Sequence, residues 1–139
     1  YQISIPELGT VKSINVPIVI LTSNGTRDLS DALRRRCLYH YLEYPDVSRE
    51  TEILRIKVPE ADLRLVEQSA QFVNALRKED LEKKPGIAES IDWLRALTLH
   101  GMNSLPDDPA LIKGSLSCLI KTARDRTDVS DDVLQQLLG

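Results

Sequence analysis

The sequence contains few of the residues on which disulfide-linked, zinc-binding and membrane proteins depend. Aromatic residues make up only 4% of the 139 residues, so we expect a core of aliphatic side chains. The two cysteines, Cys37 and Cys118, have no companions at metal-ligand spacing, which argues against a zinc site. Without a signal-like apolar segment, both are expected to be reduced thiols in a cytoplasmic protein. The longest apolar run, residues 16–21, is far too short to cross a bilayer.

The sequence also lacks the motifs that hold a nucleotide and its magnesium ion. A phosphate loop needs Gly-x-x-x-x-Gly-Lys-Ser/Thr, and none of the 6 glycines completes that pattern. No acidic pair follows an apolar strand, because Glu79 and Asp80 follow charged residues whereas Asp107 and Asp108 lie in a predicted loop. The net charge of -3 argues against nucleic acid as the main partner, since domains that bind it are usually basic.

The elements that are present divide into two parts of different character. In the first part, the sequence predicts a hairpin of residues 2–5 and 11–15 and then a buried strand over 16–22. It next predicts a helix over 29–36 capped by Asp28, a strand over 38–44 and a helix beginning at Asp46. The second part predicts helices over residues 60–77, 87–99, 111–124 and 131–138. We place the boundary near Val58 and Pro59. Because the chain begins inside a strand-like segment without methionine, we expect it to be a piece of a longer protein.

Two polar features follow the predicted buried strand. Asn24 stands at its carboxyl end, where an uncharged amide could orient a water or contact a phosphate oxygen. The simpler interpretation is a turn, because Asn24 and Gly25 form a strong turn dipeptide. Arg34, Arg35 and Arg36 end the next helix, and guanidinium groups suit phosphate oxygens. Helical residues point about 100° apart, so at most two of the three face one ligand, and the alternative is a solvated cationic helix end.

These segments resemble the sensor 1 and arginine-finger segments of AAA+ ATPases, most closely those of the MoxR-type branch. Residues 22–24, 29–37 and 85–97 occur in the order and spacing of that family, so the resemblance covers about residues 2–100. It implies an α/β partial AAA+ core over residues 1–57, made of the hairpin, two strands and helices. An all-helical AAA+ lid and tail would follow over residues 58–139.

The resemblance also implies roles for particular residues. Asn24 would be the sensor 1 residue. The MoxR-type pattern Leu-Pro-Glu-Ala, then Asp-Arg-Phe, matches residues 29–32 and 35–37, which makes Arg36 the finger that acts on the neighbouring subunit and Arg35 its rival. The sequence departs from that pattern at Ser30, Arg35 and Cys37, where the family has proline, aspartate and phenylalanine.

The lid of these ATPases normally contributes a sensor 2 arginine to the nucleotide. In the register that we prefer, Ala88 stands at that position, so Arg95 substitutes for it only if the helix is turned differently. The family further implies ATP and Mg²⁺ as cofactors of the full-length parent, a homo-oligomeric ring such as a hexamer, and chaperone-like maturation work with a partner that bears a von Willebrand factor A domain. Neither nucleic acid nor a membrane is an expected partner.

In such a parent the phosphate loop and acidic pair would precede Tyr1. This chain alone is therefore expected to hold no ATP and to be inactive, and to self-associate through residues 1–45. The alternative is a complete, non-enzymatic helical adaptor whose first residues only resemble a sensor region. The coding sequence before Tyr1 distinguishes the two. A further alternative is single-stranded nucleic acid binding by the arginines and the tyrosines at 39, 41 and 44.

Overall fold

The hairpin at the start of the chain is set by a turn that ends in glycine. The computed structural model describes residues 2–16, 18–23 and 29–138. In it, strand β1 (Gln2–Ile5) pairs antiparallel with β2 (Gly9–Lys12), and Ile3 lies opposite Val11. Gly9 has a φ of 72°, a left-handed conformation that glycine adopts without strain. The predicted hairpin is confirmed, although β2 begins at Gly9 rather than at Val11.

The chain divides into two compact units, Tyr1–Tyr41 and Leu42–Gly139. The first contains the hairpin and a short helix, α1 (Asp31–Arg34). The second is helical and begins with α2 (Val47–Lys57). The boundary that we predicted between core and lid, near Val58, falls inside the second unit, because α2 packs against the two helices that follow it.

Two strands predicted from the sequence do not form among the described residues. Residues 18–23 and 38–46 have no regular secondary structure, and the apolar side chains at 18–21 are between 57% and 93% exposed. A strand needs a neighbouring strand to bind its N–H and C=O groups, and no described residue pairs with either segment. The predictions of buried strands over residues 16–22 and 38–44 are therefore wrong for this structure.

The second unit contains six of the seven helices found in the described residues. After α2 come α3 (Leu63–Leu76), α4 (Ile87–Leu99), α5 (Pro109–Lys113), α6 (Ala123–Asp128) and α7 (Asp131–Leu138), with a 3₁₀ turn at Ser115–Cys118. Asp46 caps α2 as predicted, since its Oδ1 accepts from the Arg49 N–H at 2.8 Å. The continuous helix predicted over 111–124 is wrong. It breaks at Gly114, and Thr122 caps a new helix by accepting from the Asp125 N–H at 3.1 Å.

The core of the second unit lies around α3 and α4. Phe72 and Trp93 face each other with ring centroids 4.9 Å apart, and both are buried. The other buried apolar side chains come from every helix of the unit except α6 and from the segments between helices; they include Leu54, Leu65, Val66, Val73, Leu76, Leu94, Leu97, Ile112, Leu119 and Leu134. In the part of the chain that the structure describes, no helix is both long enough and apolar enough to cross a membrane.

Candidate functional site

The arginine cluster lies at the carboxyl end of α1, in the first unit. Ser30 begins this helix, because its Oγ accepts from the Leu33 N–H at 3.4 Å. Asp28, the cap predicted from the sequence, lies outside the described residues. The helix ends at Arg34, two residues earlier than predicted.

Arg34 is therefore the last residue of α1, and Arg35 and Arg36 lie in the turn that follows it. The Arg35 N–H donates to the Asp31 carbonyl at 3.0 Å, and the Arg36 N–H donates to the Leu33 carbonyl at 3.1 Å. All three arginines are exposed. A cationic group at a helix carboxyl end is favoured by the helix dipole, and an exposed guanidinium can contact an anion from outside the unit. The geometry permits both interpretations given above.

Asn24 lies outside the described residues, so its predicted role at the end of a strand stays a prediction. The segment before it, residues 18–23, is described and is exposed and irregular.

Arg95 belongs to the second unit, on α4. Its Nη2 donates to the Lys57 carbonyl at 3.4 Å, and its Nη1 lies 3.8 Å from Asp92 Oδ1. The side chain is about half exposed, at 51%. Arg95 thus contacts the carboxyl end of α2, where unpaired carbonyls favour a cation. Arg95 and the arginine cluster belong to different compact units.

Sequence reasoning missed a buried ionic cluster in the second unit. Glu50 on α2 is fully buried, and Arg77, at the end of α3, is 6% exposed. The Arg77 guanidinium binds Glu50 through both Nη atoms, with Nη2 at 2.8 Å from Oε1. Ser90 on α4 donates to the same Oε1 at 2.7 Å, and Arg77 Nε donates to the Pro85 carbonyl at 2.8 Å. We call these residues the Glu50–Arg77 cluster.

The cluster joins three helices through one planar pair of charges. A bidentate arginine–carboxylate pair has a defined geometry, and here the Ser90 hydroxyl and the Pro85 carbonyl add hydrogen bonds to it. One signal in the sequence could have found it. Glu50 lies between Val47 and Leu54 on the inward stripe of α2, and a charged residue on such a stripe requires a buried partner.

A second buried carboxylate, Asp125, holds the loop between α3 and α4. Its two oxygens accept from the backbone N–H groups of Glu82, at 2.7 Å, and Lys83, at 3.1 Å. Burial by itself would raise the pKa of the Asp125 carboxyl. The hydrogen bonds from Glu82, Thr122 and Lys83 and the charge of Arg124 outweigh that effect, and they hold its pKa below the usual 3.8. The spacing of Thr122 and Asp125 is the helix-start signature that could have identified this carboxylate.

The surface beside this loop has a shallow depression of about 310 Å³. Glu79, Asp80, Asp128 and Arg124 line it, and Arg124 pairs with Asp128 at 3.4 Å. Three carboxylates facing one paired cation make a poor site for a phosphate group. Among the residues that the structure describes, no group of three His, Cys, Asp or Glu side chains is arranged to hold a metal ion.

Comparison with protein-family models, with curated proteins and with solved structures found no match to this chain. The resemblance to AAA+ ATPases therefore depends on the sequence motifs alone.

Proposed function

We propose that this chain is the C-terminal part of the ATPase module of a MoxR-like AAA+ protein, supplying sensor 1, the arginine finger and the lid. The parent would be an ATP-driven chaperone or maturation factor that works as a homo-oligomeric ring in the cytoplasm, with ATP, Mg²⁺ and possible help from a protein bearing a von Willebrand factor A domain. The single observation that carries the proposal is the exposed arginine cluster, at the end of a short helix that follows a strongly apolar segment.

The exposed apolar segment at residues 18–21, before α1, also supports the proposal, because it has the composition of one strand of a larger sheet whose other strands the parent would supply. Fully burying a Val, Leu or Ile side chain contributes about 1.5–3 kcal/mol. Burying Ile18, Val19, Ile20 and Leu21 would thus contribute roughly 6–12 kcal/mol, before the cost of ordering the segment. Strands buried on both faces of a parallel sheet have this continuous apolar composition. Such a sheet would bring Asn24 to its carboxyl edge, where nucleotide phosphates bind in α/β folds.

The roles proposed for Asn24 and Arg36 follow from the charge that each side chain carries. Asn24 would orient the attacking water without adding charge, and Arg36 would place a permanent cation against the phosphoryl group held by the neighbouring subunit. Arg36 lies beyond the last helical residue of α1, so its side chain can extend away from the helix axis. Arg95 contacts the end of α2 in this structure, and a sensor 2 role for it requires a different side-chain orientation.

The first test is the coding sequence upstream of Tyr1. A phosphate loop and an acidic strand within about 150 residues, as expected for the first half of one domain, would support the ATPase. A start codon at or next to Tyr1 would support the helical adaptor instead. On the 139-residue chain itself, calorimetry should detect no micromolar ATP binding, because the groups that would cradle the phosphates are not in it.

The decisive experiment replaces Arg36 in the parent. Arg36→Ala should lower ATP turnover by about 10³ to 10⁵, the contribution of fingers in other phosphoryl-transfer systems, and should leave ATP binding nearly unchanged. Arg34→Ala should have a much smaller effect. Arg49→Ala is a matched control, since Arg49 is also an exposed arginine and forms an ion pair with its helical neighbour Glu52.

A mixing experiment tests whether Arg36 acts across an interface. Rings that combine Arg36→Ala subunits with phosphate-loop variants should recover part of the activity, because each subunit supplies what the other lacks. If Arg36→Ala turns over ATP normally while Arg35→Ala is inactive, Arg35 is the finger. If neither change matters, the finger assignment is wrong and the cluster is a solvated helix end.

A further inference from the structure

The Glu50–Arg77 cluster has an outer face that the ionic pair does not use. The hydrogen bonds of Arg77 to Glu50, Pro85 and Ser90 all radiate in the plane of its guanidinium group. The flat faces of that group remain available for stacking. A buried guanidinium face attracts the electron-rich face of an aromatic ring.

Tyr44 occupies one of these faces. The Arg77 Cζ atom lies 4.8 Å from the centre of the Tyr44 ring, within the range of a cation–π contact. Tyr44 itself is 52% exposed, so one side of the ring faces solvent. The ring therefore covers the cluster from outside rather than belonging to the apolar core.

The two residues after Tyr44 are attached to the same helices. The Pro45 carbonyl accepts from Asn74 Nδ2 on α3 at 3.5 Å, and Asp46 caps α2 through the Arg49 N–H at 2.8 Å. Immediately before this stretch the chain is exposed, with Leu42 at 81% and Tyr41 at 68%. The attachment thus begins at Tyr44.

We infer that Tyr44 and the Glu50–Arg77 cluster form a clamp that fixes residues 44–46 to the helical unit, with Arg77 as the positioning residue. Glu50 fixes the guanidinium through hydrogen bonds in its plane, and the Tyr44 ring packs against the guanidinium and so holds the entering chain. This inference concerns the helical unit alone and does not depend on the proposed ATPase function.

The test measures ¹⁵N relaxation order parameters of the Tyr44 and Asp46 amides in the 139-residue chain. In the unchanged chain both should approach the value of about 0.85 found for rigid backbone. Tyr44→Phe keeps the ring face and should leave them unchanged. Tyr44→Ala should lower the order parameter at residue 44 to below about 0.6, the range of flexible backbone, with a smaller loss at Asp46, which also caps α2. Tyr41→Ala is the matched control and should change neither amide.

Three outcomes would overturn the clamp. The first is a Tyr44→Ala chain with order parameters equal to those of the unchanged chain. The second is a Tyr44→Leu chain that keeps the order, because apolar packing and not the guanidinium would then hold the segment. The third is a loss of order in Tyr44→Ala that spreads into α3 and α4, which would make Tyr44 a support of the whole unit.

Discussion

Replacing Glu50 with glutamine should destabilise the helical unit strongly. The substitution keeps the shape of the side chain and one oxygen for Arg77, but it leaves a guanidinium that is 6% exposed without its counter-charge. Removing one partner of a buried ion pair costs about 3–5 kcal/mol. That is a large share of the roughly 5–15 kcal/mol by which a domain is normally stable.

The magnitude can be checked by denaturation in urea and by heat. Trp93 is the only tryptophan, and it is buried against Phe72, so its fluorescence reports the unfolding of this unit. In a domain of about 100 residues, 1 kcal/mol corresponds to about 4–8 °C, so Glu50→Gln should lower the midpoint by at least about 12 °C. The double variant Glu50→Gln/Arg77→Met should be less destabilised than Glu50→Gln alone, because it buries no unpaired charge.

An exposed pair on the same helix gives the control. Arg49 and Glu52 form an ion pair with side chains 66% and 63% exposed, and such pairs contribute about 0–1 kcal/mol. Glu52→Gln should therefore shift the midpoint by only a few degrees. A Glu50→Gln shift no larger than that of Glu52→Gln would refute the reasoning, since it would mean that the buried pair contributes no more than a solvated one.

Two further predictions concern buried hydrogen bonds. The pKa of Asp125 is lowered in the folded state, so its contribution to stability is present above about pH 4 and is lost as the pH falls through the folded pKa. The difference in urea midpoint between the unchanged chain and Asp125→Asn should therefore shrink from pH 7 to pH 3. A difference that stays constant over this range would contradict the prediction. Ser115→Ala should lower the free energy of unfolding by about 1–3 kcal/mol, because the Trp93 Nε1–H that donates to Ser115 Oγ at 2.8 Å would be left without an acceptor. Ser117→Ala removes an exposed hydroxyl of the same 3₁₀ turn and should change the urea midpoint little.

Local patterns in the sequence predicted those elements whose stability is local. The hairpin follows from Pro6 and Gly9, the start of α2 from Asp46, and α7 from the spacing of its leucines. The end of α4, predicted at residue 99, is followed by Gly101, whose φ of 73° is one that glycine accepts without strain. Each of these signals lies within a few residues of the structure that it specifies.

Features that depend on distant residues could not be predicted in this way. The apolar run at residues 18–21 has the composition of a buried strand, yet a strand forms only beside another strand, and periodicity does not supply one. The pairing of Glu50 with Arg77 joins residues 27 positions apart. Predicting it requires the packing of α2 on α3, which the pattern of either helix alone does not specify. For the candidate site, the sequence identified the arginine cluster but placed the end of its helix two residues too late, because Ser30 and the turn after Arg34 shorten α1.

The reach of Asp125 back to the loop before α4 has a consequence for synthesis on the ribosome. Its acceptor oxygens lie 43 and 42 residues beyond the amides of Glu82 and Lys83. At about 5–20 residues per second, translation needs roughly 2–8 s to produce that intervening length. During that interval α2 and α3 are already made, but the loop that joins α3 to α4 has no carboxylate to hold it. A nascent chain halted before residue 125 would therefore leave the Glu82 and Lys83 amides without this acceptor.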